Sequence, residues 1–389
     1  MIDLSADCEW HNMFDLKIIR KLEDLETYKF GWNRLAFDSA QKVPELSHAW
    51  LSSHLEHSLE QDDSWMCLLA LKDSHLIGVL PLIQSGNSLR ERKSLCLRMP
   101  NDLQTQSVDI IADREYESEV IPFLLASLNV AVPGWQEVRF RRISEYSPLL
   151  KYAAKKSDVF SFLPDLNGYG GYLKIQNNYD NFFAGLGARF RRNIRRTSNK
   201  LKRLSGVKAY RITEEKACQS CFDEFIKLEG SGWKGRRGTS IKDSPINLQF
   251  YRTLTMKLSE NGLLEWHFLE AEGQSIGALL AVKSRRVLHI PKIAYDENYA
   301  FCSPGHLVVS QMLEWAFNDG DLDEVNFMTD AAWLSSWHVN KRKYFDLQIY
   351  PRSFGNTLLK VMPFKAKAML RQIPGIRPVA RAVRSIIRK

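Results

Sequence analysis

No stretch of the 389-residue chain approaches the roughly 20 apolar residues that span a bilayer, so no crossing helix is expected. The opening residues, MIDLSADCEWHNMFDLK, carry acids and lack an apolar segment, so they do not read as a secretory signal. Cysteine is scarce: Cys8, Cys67, Cys96, Cys218, Cys221 and Cys302 are six scattered residues. That excludes a disulfide-built scaffold, and reduced thiols without an export signal point to the cytoplasm. The lone CxxC, Cys218-Gln219-Ser220-Cys221, has no second pair and no Cys/His cluster nearby, so these cysteines read as small residues on an amphipathic helix and no metal is expected. GxxxxGK[ST] does not occur, and the GxGxxG from Gly230 to Gly235 follows a helical pattern rather than a strand, so a dinucleotide fold or a nucleotide triphosphatase has little support.

What is present is ordinary for folded chains, with 44% hydrophobic and 25% charged residues, enough for about two domains at roughly 100–200 residues each. The charge is placed unevenly. Formal net charge is +9, and residues 360–389 hold nine Lys and Arg and no acid. Without those nine, 45 basic residues face 45 acidic ones. A neutral body with a cationic tail argues against a general nucleic-acid binder, and no specific nucleic-acid partner is expected.

Periodicity gives a strand at 14–19, helices at 25–40 and 45–59, and a strand pair at 66–71 and 76–82. A strand at 107–111, a helix at 118–130 and a strand at 135–140 follow, and Ser, Gly, Asp and Pro over 154–170 suggest a boundary. The second half predicts a strand at 172–175, one long helix at 180–204, a strand at 208–212, a helix at 214–228 and a Gly-rich loop at 230–238. A helix at 246–260, strands at 264–270, 275–282 and 286–295, a helix at 305–318 and strands at 324–328 and 345–350 complete it. The segment from Cys67 to Ser85 resembles that from His267 to Ser284, with Ile77-Gly78 over Ile276-Gly277. A repeat about 200 residues apart suggests two copies of one domain.

In Tyr295-DENYAFCSPGHLVVSQMLEWA-Phe317, a strand ends, a short loop reaches Ser303-Pro304-Gly305, and a helix starts. Small residues there leave the first helical N–H groups bare for a pyrophosphate. The alternative is a plain helix start, with Ser303 capping and Pro304 in the first position. Around it lie Ala188-RFRRNIRRTSNKLKR-Arg203, with eight basic residues in sixteen positions and no acid, and the loop Leu228-EGSGWKGRRGTS-Ser240.

Together these segments and the strand EVNFMTD resemble the acyl-CoA-binding half of the GNAT superfamily, and most closely the CelD-like acetyltransferases, relatives of the Fem-type peptidyl transferases. The resemblance covers about residues 15–355 and is strongest over 172–350. It implies an α/β fold of two tandem GNAT-like acyl-CoA N-acyltransferase domains, each a mixed, mostly antiparallel sheet flanked by helices. The expected units are 14–165, degenerate; 166–355, catalytic; and 356–389, a basic amphipathic or disordered tail. It further implies acetyl-CoA as co-substrate, held at Ser303, Gly305 and the backbone N–H of His306. Pro291, within Arg286-VLHIPKIAY-Tyr295, sits where a bulge tolerates proline and where this fold turns a backbone N–H to the thioester oxygen. The acceptor is expected to be a sugar or polysaccharide precursor.

Asp330 stands after the next strand, either as a partly buried base for the acceptor proton or as a helix cap. His289, His306 and His338 are either alternative bases or packing and surface histidines. On the arginine-rich helix, Phe190, Ile194, Leu201 and Leu204 mark a buried stripe. Arg191, Arg192, Arg195 and Arg196 are either a solvated face or the seat of an anionic partner. Trp233 and Lys234 either line the acceptor pocket or anchor a surface loop. The tail mixes its cations with apolar residues, which suits contact with an anionic membrane face. Two other functions stay open: a Fem-type aminoacyl transfer from charged tRNA, and a binding protein that has lost CoA.

Overall fold

The structure, a computed structural model, describes residues 13–85, 95–155, 157–213 and 218–364. The tail expected from 356 on therefore lies largely outside the described residues.

Thirteen strands form one sheet. The first half contributes β1 (Asp15–Ile19), α1 (Lys29–Asp38), α2 (His48–His57), β2 (Ser64–Lys72), β3 (His75–Gln84), β4 (Cys96–Arg98), β5 (Ile111–Ala112), α3 (Glu117–Ala126) and β6 (Glu137–Ser144). Next come β7 (Phe160–Lys174), α4 (Tyr179–Gly185), α5 (Ala188–Leu201), β8 (Lys208–Ile212), α6 (Cys218–Ser231) and α7 (Pro245–Glu260). The chain ends with β9 (Leu264–Ala271), β10 (Gln274–Ser284), β11 (Val287–Tyr295), α8 (Pro304–Asn318), β12 (Glu324–Asn326) and β13 (Asn340–Pro351).

Strand order is β1-β2-β3-β4-β6-β13-β7-β12-β11-β10-β9-β8, with β5 on β3. Its two ends mirror each other. Each half has an antiparallel run followed by one parallel pair, β4 with β6 and β11 with β12. The closing strands are exchanged: β7 follows the first half but pairs with β12, and β13 follows the second half but pairs with β6. β7 and β13 then pair with each other over residues 160–172 and 340–351. The expected 165/166 boundary falls inside β7, because the Gly- and Pro-rich segment runs on as one 15-residue strand.

The repeat is also visible in the pairing. The β2–β3 register slips between Ala70 and Leu71, leaving Ile77 unpaired; the β9–β10 register slips between Ser275 and Gly277, leaving Ile276 unpaired. The glycine after each bulge admits a helix. A Cβ on Gly78 would lie 2.3 Å from Val120 of α3, and one on Gly277 would lie 3.3 Å from the Pro304 carbonyl of α8. The architecture is that of two tandem GNAT-like units.

Three large apolar bodies hold it together, beside a small one of Leu163, Tyr350 and Val361. One fills the first half and takes in Tyr344, Leu347 and Ile349 of β13. The second packs α8 and α5 onto one face of the second half through Val308, Met312, Leu313, Ile194 and Leu201. The third covers the opposite face with α6 and α7 and includes Ala49 and Trp50 of α2. Cys221 is buried there, and no disulfide joins the described cysteines.

Several expectations need correction. The helix over 180–204 is broken, because Leu186, between two glycines, is extended (φ −69°, ψ 159°) and turns into the core. The strand expected at 107–111 is regular only at Ile111–Ala112. β4, with only three residues, gives no periodic signal. Among the described residues no helix is long and apolar enough to cross a membrane.

Candidate functional site

β11 and β12 lie side by side only over Val287–His289 and Glu324–Asn326. Beyond that β12 stops and β11 runs on to Tyr295, so its far edge has no strand partner among the described residues. The register of β11 against β10 also slips here, with Ile290 and Pro291 standing opposite Ala281 alone. Pro291 thus sits at a bulge, as its missing N–H requires. For the same reason it cannot itself donate a hydrogen bond, so a bulge donor must be a neighbouring N–H.

A cleft of about 440 Å³ occupies the gap, lined by Ile293, Tyr295, Ala300, Ser303, Pro304, Gly305, His306 and Trp333. Ser303, Gly305 and His306 are therefore together on one wall. Pro304 is the first residue of α8, as expected, but Ser303 does not cap with its side chain; its backbone is left-handed (φ 52°). The N–H groups of His306 and Leu307 both turn back to the Ser303 carbonyl, at 3.0 and 3.2 Å. This corrects the expectation for His306, whose backbone N–H is already engaged. Gly305 N–H is the one left for an incoming acceptor, and a Cβ on Gly305 would sit 3.1 Å from the Tyr295 ring.

His306 lines this cleft, with its ring beside that of Trp333, another lining residue. It packs against Phe190 of α5 and against Trp333 and Trp337, with ring centroids 5.3, 6.0 and 6.0 Å away. Burial lowers its pKa from the ordinary 6.5, so the imidazole is neutral at pH 7. Its Nδ1 is buried without a partner.

Asp330 does not meet the requirement set for a base. It is exposed and paired to Lys341, at 2.9 Å. Nor does it cap the following short helix, whose N-cap is Ala331. The chain past β12 runs outward before that helix brings Trp333 back, and sequence order alone does not show this. His289 is fully buried on the opposite face from the cleft, 3.0 Å from Ser284 Oγ; burial, with Arg342 and Lys42 nearby, lowers its pKa to about 3. His338 is exposed on the loop before β13.

α5 runs beside the same loop: Phe190 touches His306, and Lys200 Nζ reaches the Phe301 carbonyl at 3.4 Å. Arg192, Arg195 and Arg196 are exposed, and Arg191 is half-buried with its Nε unpartnered. Arg195 lies over Phe183 and Arg196 bonds Asn193, but among the described residues no carboxylate pairs with any of the four. The Gly-rich loop forms the rim: Gly232 stands against the Tyr295 carbonyl, and Arg236 pairs with Glu297. Trp233 begins a four-residue helix, and the side chains of Trp233 and Lys234 lie outside the described residues.

The matching place in the first half carries more acids than bases. Before α3 stand Asp113, paired with Arg34, then Arg114 and Glu115, and Glu117 and Glu119 occupy the first turn. Like charges at a helix N-terminus repel a phosphate that bare N–H groups attract. Among the described residues no three His, Cys, Asp or Glu side chains converge as metal ligands.

Residues 188–335 match the family model described as Acetyltransferase (GNAT) domain. Among solved structures, FemX is similar at a TM-score of 0.58 and 9% identity, covering 88% of this chain and 99% of its own. A conserved protein of unknown function from Bacteroides thetaiotaomicron VPI-5482 is similar at 0.53 and 12%, covering 87% and 100%. At such identities the likeness is one of fold. No curated protein matches by sequence. The second half therefore carries a GNAT-type acyltransferase fold.

Proposed function

We propose that the chain is an acyltransferase of the CelD-like kind, moving an acyl group, acetyl in the simplest case, from CoA to an amine or hydroxyl on an anionic sugar or cell-envelope precursor. The observation that carries this is the parting of β11 from β12 opposite a helix that starts at Ser303-Pro304-Gly305. The residues fit the donor. Gly305 N–H offers a hydrogen bond at the positive end of α8, and the open edge of β11 offers main-chain groups along the cleft. CoA would supply an acyl carbon activated as a thioester. The chain supplies orientation, an N–H beside the Pro291 bulge for the developing oxyanion, and a proton acceptor.

His306 suits that last task better than Asp330, being in the cleft and neutral. Turnover is then lost as pH falls through a value below 6.5, because a protonated imidazole accepts nothing. His306→Gln should lower kcat by about tenfold or more. Asp330→Asn should change it by less than about twofold, since that carboxylate pairs with Lys341 in solvent. If Asp330→Asn is the crippled variant and His306→Gln is not, the roles are reversed.

The unpaired arginines of α5 suit phosphates or an acidic acceptor. Replacing Arg192 and Arg196 with Gln should raise the KM of the anionic substrate and flatten its salt dependence. A fall in stability with unchanged kinetics per folded molecule would make them structural.

Aminoacyl transfer from charged tRNA is the second reading, favoured by the FemX-like fold together with the basic α5. Calorimetry with CoA, followed by mass analysis of an extract incubated with labelled acetyl-CoA, tests the first reading. Stabilisation by CoA and a labelled product are expected. No CoA binding, with transfer from aminoacyl-tRNA, would establish the second.

A further inference from the structure

The cleft exists because β12 leaves β11 after three paired residues. The departure happens at Met328, whose backbone is left-handed (φ 58°), a conformation that glycine adopts freely and methionine does not. Were Met328 extended, β12 would continue beside β11 and fill the space that the cleft occupies. The left-handed turn instead sends the chain outward, and the helix Ala332–Trp337 returns Trp333 to face Ile293 and Tyr295.

A strained turn persists only where its surroundings impose it. The Met328 N–H donates to Asn326 Oδ1 at 2.9 Å, and Asn326 Nδ2 donates to the Lys42 carbonyl at 3.2 Å. The Met328 carbonyl accepts from Arg142 Nη2 at 3.2 Å, and the same nitrogen reaches the Tyr169 carbonyl at 3.1 Å. Gly171 brackets the turn, accepting from Phe327 N–H and donating to the Thr329 carbonyl. Arg142 is itself fixed. Its guanidinium stacks 4.5 Å from the Tyr344 ring, its N–H donates to Asp346 Oδ1 at 2.9 Å, and its own φ is 53°. Lys42 and Arg142 belong to the first half.

We infer that Arg142 is a positioning residue for the acyl cleft of the other half, holding Met328 in the left-handed turn that parts β12 from β11. The first half thereby shapes a site that it does not enter. This rests on the acyl-CoA reading for its ligand readout, whereas the turn can be read without a ligand.

The test is a double substitution. Arg142→Gln should weaken CoA binding by about tenfold, with near-ultraviolet circular dichroism unchanged. Met328→Gly alone should bind within about twofold of the parent, because glycine takes the turn without help. Combined, the two should bind within about threefold of the parent, a coupling that a merely structural arginine would not give. Arg142→Lys, which keeps one donor, should fall between. Amide hydrogen exchange over 326–334 reads the turn directly: Arg142→Gln should speed it, and adding Met328→Gly should restore it. Parent-like binding by Arg142→Gln, or a double variant as weak as the single one, overturns the inference. If the parent binds no CoA, the functional reading fails alone, and restored or unrestored exchange decides the turn.

Discussion

Gly305→Asp is expected to weaken CoA binding by at least about tenfold, or about 1.4 kcal/mol, with the fold intact. Two effects act in the same direction. A side chain at 305 meets the Tyr295 ring, since even a Cβ would stand 3.1 Å from it. A carboxylate there also puts a negative charge where the N-terminal end of α8 now offers a bare N–H. Gly305→Ala separates the two, keeping the bulk without the charge, and should lose only part of the affinity. Calorimetry on both variants measures this. Parent-like affinity in folded Gly305→Asp would move the phosphates elsewhere.

Glu324→Ala should cost about 3–5 kcal/mol of stability, the range for stranding one member of a buried ion pair. Both Glu324 oxygens accept from Arg342 Nη2 at 3.0 Å, and Lys42 Nζ adds a third contact at 3.3 Å. The two side chains are 4% and 3% exposed, so water cannot take over from a lost partner. Arg342 lies 4.5 Å from the Tyr172 ring and 5.4 Å from that of Tyr146, and its Nε and Nη1 have no partner. His289 nearby is held neutral and adds no further positive charge to the cluster. Urea unfolding at constant m is the measurement. Replacing both members with apolar residues of similar size should recover much of the loss. A cost below about 1 kcal/mol for Glu324→Ala would mean the pair is relaxed or hydrated.

The sequence was most informative where local chemistry and fold agree. Alternating apolar residues over 264–295 gave the central hairpins, and Ser303-Pro304-Gly305 after a strand gave the helix start. The Ile-Gly repeat marked positions 77–78 and 276–277, where both a bulge and a close helix require those residues. Pro291 marked the bulge because a ladder tolerates proline only there. What sequence could not give depends on distant partners. Leu186 fits a helical stripe, yet it is extended because the core takes it that way. Asp330 stands close in sequence to the strand end but projects into solvent, and a left-handed methionine carries no local signal. His306 was read both for its N–H and as an alternative base, and only the structure shows that the N–H is already engaged. The role of Arg142 depends on a carbonyl 186 residues away.

The exchange of β7 and β13 also sets an order of events during synthesis. β6 has β4 on one side, and its other neighbour is β13, which begins at Asn340. The first half therefore emerges from the ribosome with its sheet edge unpaired and its apolar body short of Tyr344, Leu347 and Ile349. It must wait for nearly the whole chain before that edge closes. Unpaired edges of this kind are where nascent chains pair wrongly with each other. Long-range closure of this sort also slows folding, since the loop must be gathered before the contacts repay it. The two halves, although built alike, are thus committed to fold as one unit.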